Sequence, residues 1–148
     1  MEDREWDRAA TGPRWLSDPR IAGVVADALK YGESSLKLYT LHAWVIMCNH
    51  VHILIDPAAP IARITRSLKT YTSRQANAIL GRTGQPFWAE ESYDRWIRAE
   101  RDLQRIVQYI ESNPVAVDLC ERPEDWVWSS AWTGQEACPT KIESEVTP

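Results

Sequence analysis

Two stretches rich in β-forming residues, separated by a two-residue break, constrain the fold of this chain more than any other feature. The first runs from Leu36 to Met47 and contains neither glycine nor proline, and the second runs from His50 to Asp56. Because Cys48–Asn49 between them suits a tight turn, the pair predicts an antiparallel β-hairpin. Alternation along the second strand puts Val51, Ile53 and Ile55 on one face and His50, His52 and Leu54 on the other.

Helical patterns lie on both sides of the predicted hairpin. Asp18 is an N-cap acceptor before proline, and it predicts a helix that Gly32 ends. A second helix is expected from Pro60 to Gly81. A third is expected from about Glu100 to Asn113, where Pro114 stops it. The sequence thus predicts one helix before the hairpin and two after it.

In two regions the apolar residues follow neither a helical nor a strand periodicity. The segment Phe87–Ile97 is aromatic and charged, and it suits either a short strand or an extended crossing. The segment Glu121–Trp132 is rich in turn residues, and we expect its three tryptophans, Trp126, Trp128 and Trp132, to pack in the core.

Length and composition point to one globular domain. The chain has 148 residues, of which 44% are hydrophobic and 26% charged, and this is ordinary for a soluble domain. No apolar run approaches the roughly 20 residues needed to span a bilayer, and the charged N-terminus lacks a signal-peptide pattern. We therefore expect a cytoplasmic protein. Three widely spaced cysteines match neither a zinc site nor a disulfide framework.

Charge is unevenly distributed along the chain. The formal net charge is −4, but Ile61–Tyr109 holds nine basic and five acidic residues, a net of +4. The part that follows holds two basic and eight acidic residues, a net of −6. A basic middle is compatible with polyanion binding at one face, and it is also compatible with ordinary solvated helix surfaces.

The residues with the clearest chemical potential are His50 and His52. Side by side on one face of a strand, two imidazoles can bind a divalent ion, although interior histidines joined to hydrogen-bond partners would give the same pattern. In the third predicted helix, Tyr109 and Asn113 are four residues apart and so lie on one face. An asparagine oxygen can complete a metal site and a tyrosine can act as a nucleophile. Taken singly, each also suits a structural role at a helix rim or end.

Several ordered stretches resemble one family of DNA-processing proteins. They are LHAWVIMCNHVHILIDP, GRTGQPFWAEESYDRWIR, YIESNPV and PEDWVWSSA. Together they resemble the REP-associated tyrosine transposases, which belong to the single-tyrosine class named HUH for histidine, hydrophobic residue, histidine. The resemblance covers Trp15 to Trp132. It implies an α+β fold, a ferredoxin-like α/β sandwich whose antiparallel sheet carries the HUH motif with helices packed on it.

The resemblance also implies roles for individual residues. His50, His52 and Asn113 would hold a divalent metal, Mg²⁺ or Mn²⁺, and Tyr109 would be the nucleophile. The implied activity is cleavage and rejoining of single-stranded DNA through a 5′-phosphotyrosine, on palindromic repeats that fold into hairpins. The alternative is a domesticated or catalytically inactive protein that still binds single-stranded DNA at specific sequences.

Candidate DNA-contacting residues are basic side chains on the second helix and in the segment after it. They are Arg63, Arg66, Lys69, Arg74, Arg95 and Arg98. Near the last two, Trp88, Tyr93 and Trp96 suit stacking of unpaired bases. Single-stranded or hairpin DNA is therefore the expected partner. No membrane association is expected, and both a monomer and a homodimer are compatible with the family.

One departure from the family concerns its first strand. Family members normally open with a β-strand that lies beside the histidine strand, whereas Met1–Ser17 has no strand pattern. We therefore expect residues 1–132 to form a single domain that lacks this strand, because either the true start lies upstream or the gene is truncated. Residues 133–148 are expected to be a disordered tail. A second departure is Cys48, which stands where the family usually has proline.

Overall fold

The predicted hairpin lies at the centre of the fold in the computed structural model, which describes residues 14–88 and 100–134. Strand β1 (Tyr39–Ile46) pairs in antiparallel fashion with strand β2 (Val51–Pro57). The Met47 amide donates to the His50 carbonyl at 2.8 Å and closes the turn between them. Both strands are shorter at their starts than the sequence pattern predicts, so His50 lies in the turn, directly before β2.

A β-bulge at His42 divides β1 into two halves. The pairing joins Leu41 to Ile55 and Ala43 to Leu54, which leaves His42 as an extra, exposed residue. An extra residue shifts the alternation of side chains by one position. Leu41 and Trp44 consequently face the same side of the sheet, although they are three residues apart.

Two helices cover one face of the sheet. Helix α1 (Pro19–Ser34) begins at Asp18, whose carboxylate accepts from the Arg20 amide at 2.9 Å. Helix α2 (Ile61–Leu80) follows Pro60 and ends at Gly81, whose φ of 71° is the left-handed conformation that glycine adopts without strain. Their apolar faces and one face of the sheet form the larger core, which includes Ile21, Val25, Leu29, Trp44, Ile46, Ile53, Ile55 and Ile64.

A third helix covers the opposite face. Helix α3 (Glu100–Glu111) packs on the sheet in the smaller core, which includes Ala43, Val45, Met47, Leu54 and Ile110. The helical path breaks at Ser112 and resumes as the short helix α4 (Asn113–Ala116). The prediction of one helix to Asn113 stopped by Pro114 is therefore wrong in detail. Pro114 lies in the first turn of α4. Backbone N–H groups in a first turn have no acceptor within the helix, so the missing N–H of proline costs no hydrogen bond there.

The segment that the sequence marks as turn-rich carries a feature that the sequence does not reveal. After a 3-10 turn (Pro123–Asp125), residues 126–130 run along the free edge of β1, and we call them the edge segment. The Ile46 amide donates to the Trp128 carbonyl at 2.8 Å, and the Ser130 amide donates to the Trp44 carbonyl at 2.9 Å. An antiparallel bridge joins Val45 to Ser129.

The tryptophans of this region divide between the two cores. Trp126 packs against the smaller core and Trp128 against the larger one, as expected. Trp132 does not, because 37% of its surface is exposed.

The architecture is thus α+β, with helices on both faces of an antiparallel sheet, and it confirms the predicted sandwich. No helix within the described ranges is both long enough and apolar enough to cross a membrane. Most of the ambiguous segment 87–97, and the predicted tail from residue 135 onward, lie outside the described residues. In the part that is described, β2 pairs with β1 alone, and the expectation about a first strand stays a prediction.

Gly32 does not end α1 as predicted, because the helix continues to Ser34. Its role is to admit Tyr39, whose hydroxyl donates to the Leu29 carbonyl at 2.6 Å. A Cβ at Gly32 would lie 2.8 Å from Cζ of Tyr39, and closer still to the hydroxyl oxygen. Burial, helped by the negative charge of Glu33, raises the pKa of Tyr39 far above its usual value, so this phenol stays neutral.

Replacing Gly32 by alanine should therefore destabilise the fold. Overlap of the new Cβ with Tyr39 should cost about 1–3 kcal/mol, more than the roughly 1 kcal/mol that alanine gains over glycine in a helix. Thermal or urea unfolding measures the difference. The control is Gly23→Ala in the same helix, whose Cβ would meet only Trp128 at an ordinary 3.9 Å. Equal stability of the two variants would contradict a close packing role for Gly32.

Candidate active site

The two histidines and the helical tyrosine of the sequence hypothesis meet on the α3 side of the sheet. The rings of His50 and His52 have centroids 4.8 Å apart and lie nearly perpendicular, at 86°. The ring of Tyr109 lies edge-on to that of His52, with centroids 6.0 Å apart. These three side chains come from the turn before β2, from β2 itself and from α3.

Local structure explains why the histidines lie together. His52 pairs with Val45 across the hairpin, and residues directly opposite in an antiparallel pair share a face. Val45 belongs to the smaller core, as does Leu54 two residues after His52. His52 is consequently held among apolar groups with only 6% of its surface exposed, under the helix that carries Tyr109.

Asn49 fixes the orientation of the first histidine. Its Oδ1 atom lies 2.9 Å from Nδ1 of His50. A carbonyl oxygen can only accept, so this contact requires the proton on Nδ1, and a neutral ring would then have its lone pair on Nε2. That Nε2 atom is buried within the site. Sequence reasoning treated Asn49 only as a turn residue, although an amide next to a candidate metal ligand is itself a recognisable signal.

Asn113 is the third donor that the sequence hypothesis expects. It lies one helical turn after Tyr109, at the start of α4, and is buried with 4% exposed. The structure brings His50, His52 and Tyr109 into ring contact, and it places Asn113 by its burial and its position in the chain. Within the described ranges no cluster of three or more histidine, cysteine or acidic residues is present.

The donor types fit a divalent ion. Metal–nitrogen bonds are about 2 Å long, so two imidazoles at this separation can each direct a nitrogen to a common point. With its proton on Nδ1, a neutral His50 would present the buried Nε2 atom to the metal. An asparagine oxygen adds a hard ligand of the kind that Mg²⁺ and Mn²⁺ accept.

Comparison of the tyrosines singles out Tyr109. Tyr39 is buried, donates its hydroxyl to a backbone carbonyl and has a raised pKa, all of which oppose reaction as a phenolate. Tyr31 and Tyr71 have 57% and 50% of their surfaces exposed and lie on the helices of the opposite face. Among the tyrosines in the described ranges, Tyr109 is the one in ring contact with a histidine.

The predicted DNA-contacting residues of α2 are solvent-accessible. Arg63, Arg66 and Arg74 are exposed and Lys69 is partly exposed. The helix contains no acidic residue, and none of the four has an ion-pair partner in the described part of the chain. Helix α2 covers the face of the sheet opposite to Tyr109. A DNA strand that contacts both α2 and Tyr109 therefore has to pass around the edge of the sheet.

Most of the other predicted DNA contacts lie outside the described residues, and the remaining one, Trp88, packs within the fold. Arg95 and Arg98, with Tyr93 and Trp96, lie outside the described residues. Trp88 has a structural role, because its indole N–H donates to Thr72 at 2.8 Å and its ring lies edge-on to Phe87. Phe87 in turn stacks on Trp15, and the guanidinium of Arg82 lies 4.3 Å from the Trp15 ring centroid.

Comparison with known proteins identifies the family. Residues 26–113 match the family model described as "Transposase IS200 like", a span that contains the hairpin, α2 and α3 with all four candidate site residues. A search of curated proteins and a search of solved structures each gave no match. The matched region makes up more than half of the chain, and its order of elements agrees with the geometry described above. The chain therefore belongs to the IS200-like transposase family.

Proposed function

We propose that this transposase cleaves single-stranded DNA with Tyr109 as nucleophile and rejoins it through a 5′-phosphotyrosine. The observation that carries the proposal is the contact between Tyr109 and His52 within one chain, at 6.0 Å between ring centroids. Two neighbouring imidazoles and a partly exposed phenol beside them supply metal donors and a nucleophile, which such a reaction requires.

The reaction conserves the energy of the phosphodiester bond. The Tyr109 oxygen attacks phosphorus and loses its proton to solvent, while the bond from phosphorus to the 3′-oxygen breaks. That oxygen leaves with a proton as a 3′-hydroxyl, and the 5′-phosphate stays on the tyrosine. Because one phosphate ester has replaced another, a second 3′-hydroxyl can reverse the step and join a different strand without ATP.

His50, His52 and Asn113 would hold a divalent metal, Mg²⁺ or Mn²⁺, next to this phenol. When bound, such an ion supplies positive charge that offsets the negative charge of the phosphate and of the transition state. The chain's own contribution is to orient the two imidazoles, and the contact between Nδ1 of His50 and Oδ1 of Asn49 does so for the first of them.

The proposed substrate is a hairpin formed by a short palindromic repeat, as for REP-associated members of the class. The support is the basic solvent face of α2, since phosphate binding needs unpaired cations. The matched family description names a transposase without naming a DNA sequence. A specific DNA-binding protein without cleavage activity is the second candidate, because the exposed cations of α2 would support DNA binding with or without cleavage.

Replacing Tyr109 by phenylalanine should abolish the covalent adduct and leave DNA binding intact. The change removes one oxygen, so the loss of rate should be on the order of a millionfold, as for other lost nucleophiles. End-labelled repeat hairpins, incubated with Mg²⁺, Mn²⁺ or EDTA and run on a denaturing gel, measure the adduct. Tyr71→Phe is the matched control and should form adduct like the unaltered protein. If the unaltered protein shifts the DNA on a native gel but forms no adduct, the result would support the binding protein instead.

Replacing Asn49 by alanine should weaken metal binding. Loss of the partner of Nδ1 frees the His50 ring to rotate and change tautomer, and such outer contacts typically change metal affinity by about 10–100-fold. Titration calorimetry with Mn²⁺ measures the affinity without DNA. Asn49→Asp is the control, because a carboxylate oxygen still accepts from Nδ1 and should keep the affinity at least at its original value. Unchanged affinity in Asn49→Ala would count against the proposed orientation of His50.

Replacing Arg63 and Arg74 together by alanine should reduce DNA affinity and its salt dependence. The slope of log K against log salt is negative. Each lost phosphate contact on single-stranded DNA should reduce its magnitude by about 0.7. Fluorescence anisotropy of a labelled hairpin across a salt series measures both quantities. Arg122→Ala is the control, since that guanidinium is already paired with Asp125 at 2.9 Å. A slope equal to that of the control would exclude α2 from the phosphate path.

A further inference from the structure

The edge segment links the strand next to the histidine strand with the helix that carries Tyr109. Its backbone pairs with β1 at Trp44 and Ile46, on the edge opposite to β2. Its side chains then reach across to α3. The candidate mechanism assigns no role to this segment, although its sequence is among the stretches that resemble the transposase class.

Ser130 makes the shorter of the two links. Its hydroxyl donates to Oε2 of Glu111 at 2.6 Å and accepts from the Trp44 amide at 3.0 Å. The short distance is typical of a hydroxyl bound to a carboxylate. A hydroxyl has one hydrogen, and its use for Glu111 leaves the oxygen lone pairs for the amide. A continuous chain of hydrogen bonds therefore joins the β1 backbone to the last turn of α3.

Trp126 makes the second link. Its indole N–H donates to the Ile46 carbonyl at 3.1 Å, and its ring packs against the smaller core together with Tyr109 and Ile110. Ile46 is the last residue of β1, just before the turn that leads to His50. The two ends of the edge segment thus hold the sheet and α3 at positions close to the candidate site.

Apolar packing alone fixes the helix less completely. Leu103, Ile106, Val107 and Ile110 hold α3 on the sheet, but hydrophobic contact has little directionality. A hydrogen bond loses strength steeply when its angle changes. Glu111 lies between Tyr109 and Asn113 in sequence, so a bond to its side chain restricts the rotation of the turn that presents both.

We infer that Ser130 and Glu111 are positioning residues that set the orientation of Tyr109 toward the two histidines. The inference rests on the proposed function, because the orientation matters for DNA cleavage only if Tyr109 is the nucleophile. Neither residue contacts the reacting atoms in this arrangement. Their effect is on how often the phenol oxygen points where the phosphate has to be.

Ser130→Ala should slow the formation of the adduct without weakening DNA binding. Misplacement of a reacting group by about 1 Å can reduce a rate on the order of 100-fold, so we expect a 10- to 100-fold lower single-turnover rate with an unchanged dissociation constant. Ser130→Thr keeps the hydroxyl donor and Glu111→Gln keeps an oxygen acceptor, so each variant should retain most of the rate. Combining Ser130→Ala with Glu111→Ala should cost no more than either change alone, as expected for two members of one interaction.

Ser129 provides the matched control for the chemistry. It is the neighbouring serine, 3% exposed, and its hydroxyl accepts from the Ala131 amide without reaching α3. Ser129→Ala should cleave like the unaltered protein. An equal loss of rate in Ser129→Ala, or a normal rate in Ser130→Ala, would overturn the inference.

Hydrogen exchange separates this inference from the proposed function. In Ser130→Ala the amides of the last turn of α3 should exchange faster, whereas those of α1 should exchange as before. This measurement does not depend on cleavage. If the unaltered protein forms no adduct, the proposed function fails while exchange still tests the link. Unchanged exchange in α3, or faster exchange throughout the chain, would refute a specific positioning role.

Discussion

Backbone pairing between β1 and β2 determines where the described helices and the candidate site lie. It brings two strands together as a sheet with apolar side chains on both faces, so helices are needed on both faces to exclude water. It also places His52 opposite Val45 on the face that α3 covers. Without this register, the histidines and Tyr109 would have no common side of the sheet on which to meet.

The two faces of the sheet have different tasks. On one, α1 and α2 build the larger core, and α2 presents exposed cations to solvent. On the other, α3 and the sheet bring two histidines and Tyr109 together beside the smaller core. In the proposed function, this arrangement separates substrate recognition by α2 from chemistry at Tyr109, because the sheet lies between them.

Local signals allowed much of this to be predicted. Alternation in β2 gave the face of His52, and the Asp18 and Gly81 signals gave one end of α1 and one of α2, because each depends on neighbours within a few residues. The failures involve distant partners. Gly32 resembles a helix terminator until Tyr39 is placed against it, and the bulge at His42 is visible only when β2 supplies the count. Ser130 bonds to Trp44, 86 residues earlier, which no local pattern contains.

The bulge at His42 makes one residue of β1 independent of the pairing with β2. Tyr39 and Leu41 reach the larger core, and Ala43 and Val45 the smaller one, only because one residue between them is left out of the alternation. Loss of the His42 codon would leave Leu41 and Ala43 opposite Ile55 and Leu54, the partners they already have, so every side chain would keep its face. Loss of another residue within the strand would instead move the side chains between it and the bulge to the opposite face. His42 is consequently the position at which this strand can change its length without disturbing either core.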